Sequence, residues 1–116
     1  MAQILEIKKL NDQEINDLIL EVLYDFQALD ITHINLPQSC GYADMIMIAT
    51  GRSSRQMCAI ADTLKKRISP YIGFNIQIEG LEKAEWVLID IGHVIVHLFK
   101  PEMRKFYQLE KLWDHD

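Results

Sequence analysis

Residues 85–101, Glu85-Trp-Val-Leu-Ile-Asp-Ile-Gly-His-Val-Ile-Val-His-Leu-Phe-Lys-Pro101, decide the fold. The β-branched and aromatic residues are broken only at Asp90-Ile91-Gly92 and ended by Lys100-Pro101, which predicts two strands joined by a tight turn. Val87 to Ile89 and Val94 to Val96 are apolar on both strand parities. That pattern predicts a sheet covered on both faces, as in an α/β protein. Trp86 starts the first strand among Glu82, Glu85 and Asp90. Two readings of it stand at this point: a half-buried core ring, and a ring with one side turned to a partner, where Trp is enriched.

Working back toward the N-terminus, Gly80 to Ala84 reads as a charged loop, and Phe74, Ile76 and Ile78 alternate with polar residues as a half-exposed strand. Gly51-Arg-Ser-Ser-Arg55 opens a helix with Met57, Ile60, Ala61, Leu64 and Ile68 on one face, stopped by Ser69-Pro70. Met45 to Thr50 and Ile31 to Leu36 are strand-like, with turn chemistry at Pro37 to Gly41 between them. Asn11 and Glu14 have the spacing of a capping box, and Ile15, Leu18, Ile19, Val22, Leu23 and Phe26 recur at helical spacing. A helix over residues 12–29 follows. Residues 1–10 are a lead-in. Beyond Pro101, which suits a first helical turn, Phe106, Leu109 and Trp113 make an apolar stripe.

The order is α-β-β-α-β-β-β-α, without repeats, low-complexity segments or an internal linker. It predicts one α/β domain, a mixed five-stranded sheet with helices packed on it, whose core spans about residues 11–113. The 116 residues suit a single core, and 49% hydrophobic with 25% charged residues is ordinary globular composition. No apolar run is long enough to cross a bilayer, and the N-terminal residues lack the h-region of a signal peptide. A cytoplasmic location is expected. The formal net charge of -5 disfavours a broad phosphate-binding surface and suits a basic protein partner better than bare nucleic acid. Cys40 and Cys58, without C-x-x-C spacing, are expected as reduced thiols.

Three clusters offer chemistry. Thr50 to Arg55 sits where a strand passes into a helix, so Ser53, Ser54 and Arg55 are candidates for an anion or RNA-backbone contact. The plainer reading is a tight turn with Ser53 as N-cap. The stretch lacks the Lys and spacing of a P-loop, no cofactor is implied, and nucleotidyl transfer would need paired carboxylates that Asp44 and Asp90, single acids in separate segments, do not supply. His93 and His97 lie on a strand, where four residues span ~13 Å, too far to share one metal ion. They read as hydrogen-bonded or surface residues. Glu79, Glu82, Glu85 and Asp90 form either a solvated acidic edge or, around Trp86, a steering surface for a basic protein.

The blocks Ile48-Ala-Thr-Gly-Arg-Ser-Ser-Arg55, Glu79-Gly80, Glu85-Trp-Val-Leu-Ile-Asp90, Gly92-His-Val-Ile-Val-His97 and Phe106-Tyr-x-Leu-Glu-x-Leu-Trp113 resemble the bacterial ribosomal silencing factor, or Iojap-like, family over roughly residues 11–113. The resemblance implies a nucleotidyltransferase-like fold without catalytic carboxylates, hence no enzyme. It implies binding to the large ribosomal subunit through its universally shared protein number fourteen, which keeps the small subunit from joining when nutrients are scarce. It also implies self-association of the free protein. Carried over by position, Trp86, Leu88, Gly92, Val94, Val96 and Leu98 are expected on or next to the partner surface, with Glu79 and Asp90 as acidic complements. The chain departs from the family pattern with His93 where the hairpin turn usually has Asp, Met45 where an aromatic is usual, and Gln56 where His is usual. Arg52, Arg55, Lys65, Lys66 and Arg67 are the candidates for RNA contact, against the reading of a solvated helix face.

Overall fold

The computed structural model describes residues 9–38, 41 and 43–103. In chain order it contains α1 (Asp12–Asp25), β1 (Leu29–Asn35), β2 (Met45–Thr50), α2 (Ser54–Ile68), a 3₁₀ turn (Ser69–Tyr71), β3 (Gln77–Glu79), β4 (Trp86–Asp90) and β5 (Val94–Phe99). The backbone is helical again over residues 101–103. The expectations for residues 1–8, Cys40, Phe106, Leu109 and Trp113 lie outside the described residues. The strands form one sheet in the order β1-β2-β5-β4-β3. β2 and β5 run parallel and the other neighbours antiparallel, so the sheet is mixed as expected. A parallel pair needs a crossover, and the chain between β2 and β5 supplies one that contains α2. Among the described residues no helix is long and apolar enough to cross a membrane.

The hairpin is β4 and β5. Its turn is closed by the Ile91 N–H donating to the Val94 carbonyl at 3.0 Å, with Gly92-His93 at the tip. Gly92 has φ +93°, a value open to glycine and the mark of a type II′ turn when it stands first of two. The Asp90 carboxylate accepts the Gly92 N–H at 2.9 Å and holds the turn from below. A side chain at Gly92 would also strike the Phe74 ring, since a Cβ there lies 2.8 Å from Cζ.

Two boundaries differ from the sequence reading. α1 opens with the expected capping box of Asn11 and Glu14 but ends at Asp25 rather than Leu29. Gln27 takes φ +58°, its N–H reaches the Tyr24 carbonyl, and the Ala28 N–H reaches the Leu23 carbonyl, both at 2.9 Å. This is a Schellman end built on Gln instead of Gly, which no propensity rule signals. β3 is shorter than the Phe74 to Ile78 alternation suggests. Gln77 already pairs with Asp90, the last residue of β4, so residues 74–76 have no partner strand left; Ile76 is buried, and Phe74 turns out against the hairpin tip, 50% exposed.

Both helices pack on one face of the sheet. Ile15, Ile19, Val22 and Leu23 of α1 and Met57, Ile60, Ala61, Leu64 and Ile68 of α2 form one cluster with Met47, Ala49, Val87, Ile89, Val94, Val96 and Leu98. Each such side chain is worth ~1.5–3 kcal/mol when fully buried, so this face holds most of the hydrophobic driving force. The other face has a smaller cluster of Leu36, Ile46, Ile48 and Phe99, with Ile34, Ala43, Trp86 and Met103 packed on it. The sheet is therefore covered on both faces, but by helices on one and, among the described residues, by the segment after β1 and by Met103 on the other.

The sheet face opposite the two helices as candidate functional site

Strand register decides which side chains share the face opposite α1 and α2. Glu79 of β3 pairs with Leu88 of β4, which pairs with His97 of β5. Gln77, Asp90 and Ile95 form the next row, and Trp86 pairs with Phe99. Paired residues project to the same side of a sheet, so Glu79, Trp86, Leu88 and Asp90 come together there. Val94, Val96 and Leu98 do not. They have the opposite parity, face the helices and are 0% exposed. A partner cannot reach them without the core opening, so their part is to hold the strand in place, and the expectation of contact is corrected for these three. Gly92 belongs to the hairpin tip.

Trp86 is anchored by its neighbours. The indole N–H donates to Nδ1 of His97 at 2.9 Å. Its ring lies 4.9 Å from that of Phe99, and the His97 and Phe99 rings stack at 6.1 Å with an interplanar angle of 8°. His97 is 6% exposed, and burial pushes its pKa down from 6.5 to about 4. With Nδ1 accepting, the neutral ring carries its proton on Nε2.

A groove of about 640 Å³ runs beside Trp86, lined by Glu79, Glu82, Glu85, Lys83, Leu81 and Met103 among others. Its wall is the loop before β4. Gly80 takes φ +90°, and a Cβ there would lie 2.1 Å from the Trp86 carbonyl oxygen, so only glycine lets the loop pass. Its carbonyl accepts the Ala84 N–H at 2.9 Å. Three carboxylates, Glu79, Glu82 and Glu85, and one ammonium, Lys83, thus line the groove beside Trp86.

The turn at Gly51 to Arg55 is spent on structure. Ser53 Oγ caps α2 by accepting the Gln56 N–H at 3.1 Å, and Ser54 Oγ donates to the Ala84 carbonyl at 3.3 Å. The Arg52 N–H donates to the Gln56 side-chain oxygen, while Gln56 Nε2 donates to the Phe26 carbonyl at 2.6 Å. Gln56, in the place where the family pattern has His, therefore ties this turn to the end of α1. Gly51 is required because a Cβ would meet Met57 at 2.1 Å. Arg55 is exposed. These contacts favour the plain turn over an anion site at Ser53, Ser54 and Arg55.

Three of the five basic candidates for RNA contact have side-chain partners within the chain. Arg67 pairs with Glu21 at 2.9 Å, Lys66 with Asp62 at 3.0 Å, and the Arg52 guanidinium donates to Gln27 at 3.0 Å. His93 reaches back to α1, with Nε2 at 2.7 Å from Asn16 Oδ1 and Nδ1 at 3.6 Å from Asp12. Among the described residues no group of His, Cys, Asp and Glu is arranged to hold a metal ion. Sequence reasoning missed His97 as a partner of Trp86. The signal was present: counting outward from Gly92-His93 pairs Ile91 with Val94 and hence Leu88 with His97, which places the imidazole diagonal to the indole.

Residues 9–116 match the family model described as ribosomal silencing factor during starvation. The ribosomal silencing factor of Zymomonas mobilis is 49% identical over 96 residues, 83% of this chain and 72% of that protein. A mouse protein named mitochondrial assembly of ribosomal large subunit protein 1 is 35% identical over 104 residues, 84% of this chain and 44% of its own length. The crystal structure of a Chromobacterium violaceum protein superposes with a TM-score of 0.81 at 35% identity, covering 90% of this chain and 87% of that one.

Proposed function

This chain belongs to the ribosomal silencing factor family, and we propose that it binds the large ribosomal subunit through that subunit's universally shared protein number fourteen. Bound there, it blocks the small subunit from joining and represses translation when nutrients are scarce. The action is steric occlusion in the cytoplasm, and no bond is made or broken. The observation that carries the reading is the convergence of Trp86, Leu88, Glu79 and Asp90 on the sheet face opposite α1 and α2. An aromatic anchor and an aliphatic neighbour can be desolvated in the middle of an interface, while flanking carboxylates complement a basic partner and speed encounter. The net charge of -5 agrees with a basic protein as the docking target.

Co-sedimentation with isolated large and small subunits tests the proposal. Wild type is expected to travel with the large subunit alone, and Trp86→Ala to lose that association while keeping its thermal unfolding transition. Binding to neither subunit, or equal binding by the variant, would overturn the assigned partner or face respectively.

A further inference from the structure

We propose that the docking surface continues from Asp90 around the hairpin tip to Phe74, whose ring enters the interface between aliphatic side chains and a Lys or Arg of the same basic partner. The inference rests on the partner reading above and adds a contact residue to it. A single exposed apolar side chain is ordinary on a protein surface, and what sets Phe74 apart is its surroundings. Of the exposed large apolar residues among the described ones, Tyr24, Leu29, Phe74 and Leu81, Phe74 is the one seated on the hairpin tip, against Gly92. Its ring divides two concavities. A groove of about 320 Å³ on the α1 side is lined by Leu10, Ile15, Tyr71, Ile72 and Ile91 together with Phe74. A second, of about 370 Å³, is lined by Phe74, Asn75, Gln77, Asp90 and Gly92.

The two grooves differ in chemistry, and that difference names the occupant. The first is apolar and suits aliphatic side chains. The second shares Gln77 and Asp90 with a strand row of the proposed docking face, so the two surfaces are continuous. Asp90 spends one carboxylate oxygen on the Gly92 N–H, and its charge complements a cation placed over the Phe74 ring. The platform under the ring is held in advance. The His93 carbonyl accepts the Asp44 and Met45 N–H groups at 2.8 and 3.1 Å, and His93 Nε2 lies 2.7 Å from Asn16 Oδ1. A ring that rests on a fixed turn and has few torsions loses little freedom on binding, which is why aromatic residues are enriched at interfaces.

The test is hydroxyl-radical footprinting of the full chain, free and bound to isolated large subunits, beside the affinities of Phe74→Ala and Phe74→Leu. Phe74 is expected to be oxidised in the free protein and protected several-fold in the complex. Phe74→Ala is expected to weaken binding about tenfold, the scale of an interface hot spot, and Phe74→Leu to weaken it less because it keeps an apolar surface over the turn. A merely structural role would lower the melting temperature of Phe74→Ala and leave Phe74 of the wild type equally oxidised in both states. Equal oxidation therefore overturns the inference, whatever the affinity of the variant. So does a protected Phe74 whose replacement by Ala leaves affinity unchanged, since the ring would then be covered without contributing. Wild type that binds neither subunit sinks the partner assignment and this inference with it; wild type that binds with Phe74 still open to the radical sinks this inference alone.

Discussion

The two faces of the β4–β5 hairpin are made of the same kinds of residue and have opposite fates. On one face Val87, Ile89, Val94, Val96 and Leu98 are sealed under α1 and α2. On the other, Trp86, Leu88, Asp90 and Ile95 are half-buried, beside a groove bordered by acids. Apolar content does not separate the two, because both faces are rich in it. Parity and the placement of the helices do, and the crossover through α2 decides which parity is structural. A residue list taken from a hairpin without regard to parity therefore mixes supports with contacts, as the grouping of Leu98 with Leu88 did.

The sharpest way to break this contrast is to truncate one leucine on each face. Leu98→Ala is expected to cost ~2–5 kcal/mol of unfolding free energy, the usual penalty for a cavity in a sealed core. Leu88→Ala is expected to cost under ~1.5 kcal/mol, because its site is already partly open, yet to weaken large-subunit binding. Urea unfolding and co-sedimentation on the same samples read both effects. Equal destabilisation would mean that the face opposite α1 and α2 is as much core as the other.

Acid should expose a second difference, since the face opposite α1 and α2 has a buried titratable ring. The folded pKa of His97 is about 4 against 6.5 for the ordinary ring, so the unfolded chain takes up the proton first as pH falls. Stability from this group is complete above pH 6.5 and declines toward pH 4, by an amount approaching ~3 kcal/mol. The quantity to measure is the difference between wild type and His97→Asn across pH, which isolates this ring from the rest of the chain. A difference that stays constant from pH 7 to pH 4 would refute the buried neutral imidazole.

Asp90 joins the two regions. One carboxylate oxygen accepts the Gly92 N–H and stabilises the turn, and the side chain borders the proposed surface. Asp90→Asn keeps an acceptor for the turn and removes the charge. It is expected to leave the melting temperature within a few degrees of wild type and to slow association with the large subunit, most visibly at low ionic strength. Asp90→Arg should slow association further and, unlike Asp90→Asn, lower stability by ~1 kcal/mol through the lost turn bond.

How much of this was legible follows from where the controlling interactions are local. The capping box at Asn11, the face of α2, the bounds of β2 and the tight turn at Gly92-His93 are set by residues a few positions apart, and the sequence displays them. The end of α1 was not legible, because Gln27 adopts a left-handed conformation that glycine usually marks. Nor was the Gln56 clamp, which joins residues 30 apart in the chain. At the candidate site, Trp86, Leu88, Glu79 and Asp90 emerged from the family resemblance, and their convergence needed the register of three strands. The inward side of the indole emerged only with coordinates.

The smallest expected effect belongs to the turn before α2, the region that first competed with the hairpin as a functional site. Its hydroxyls and the Arg52 N–H are already bonded within the chain. Ser53→Ala removes an N-cap and should cost ~1 kcal/mol of stability, the usual value for that position. With docking through the hairpin face, as proposed, the same change should leave large-subunit binding unaltered at temperatures below the transition. A calorimetric titration with ATP and Mg²⁺ should give no saturable heat in either protein. Saturable heat lost in Ser53→Ala would reverse the assignment of the two regions, since a bound nucleotide would have to displace the cap hydroxyl from the Gln56 N–H.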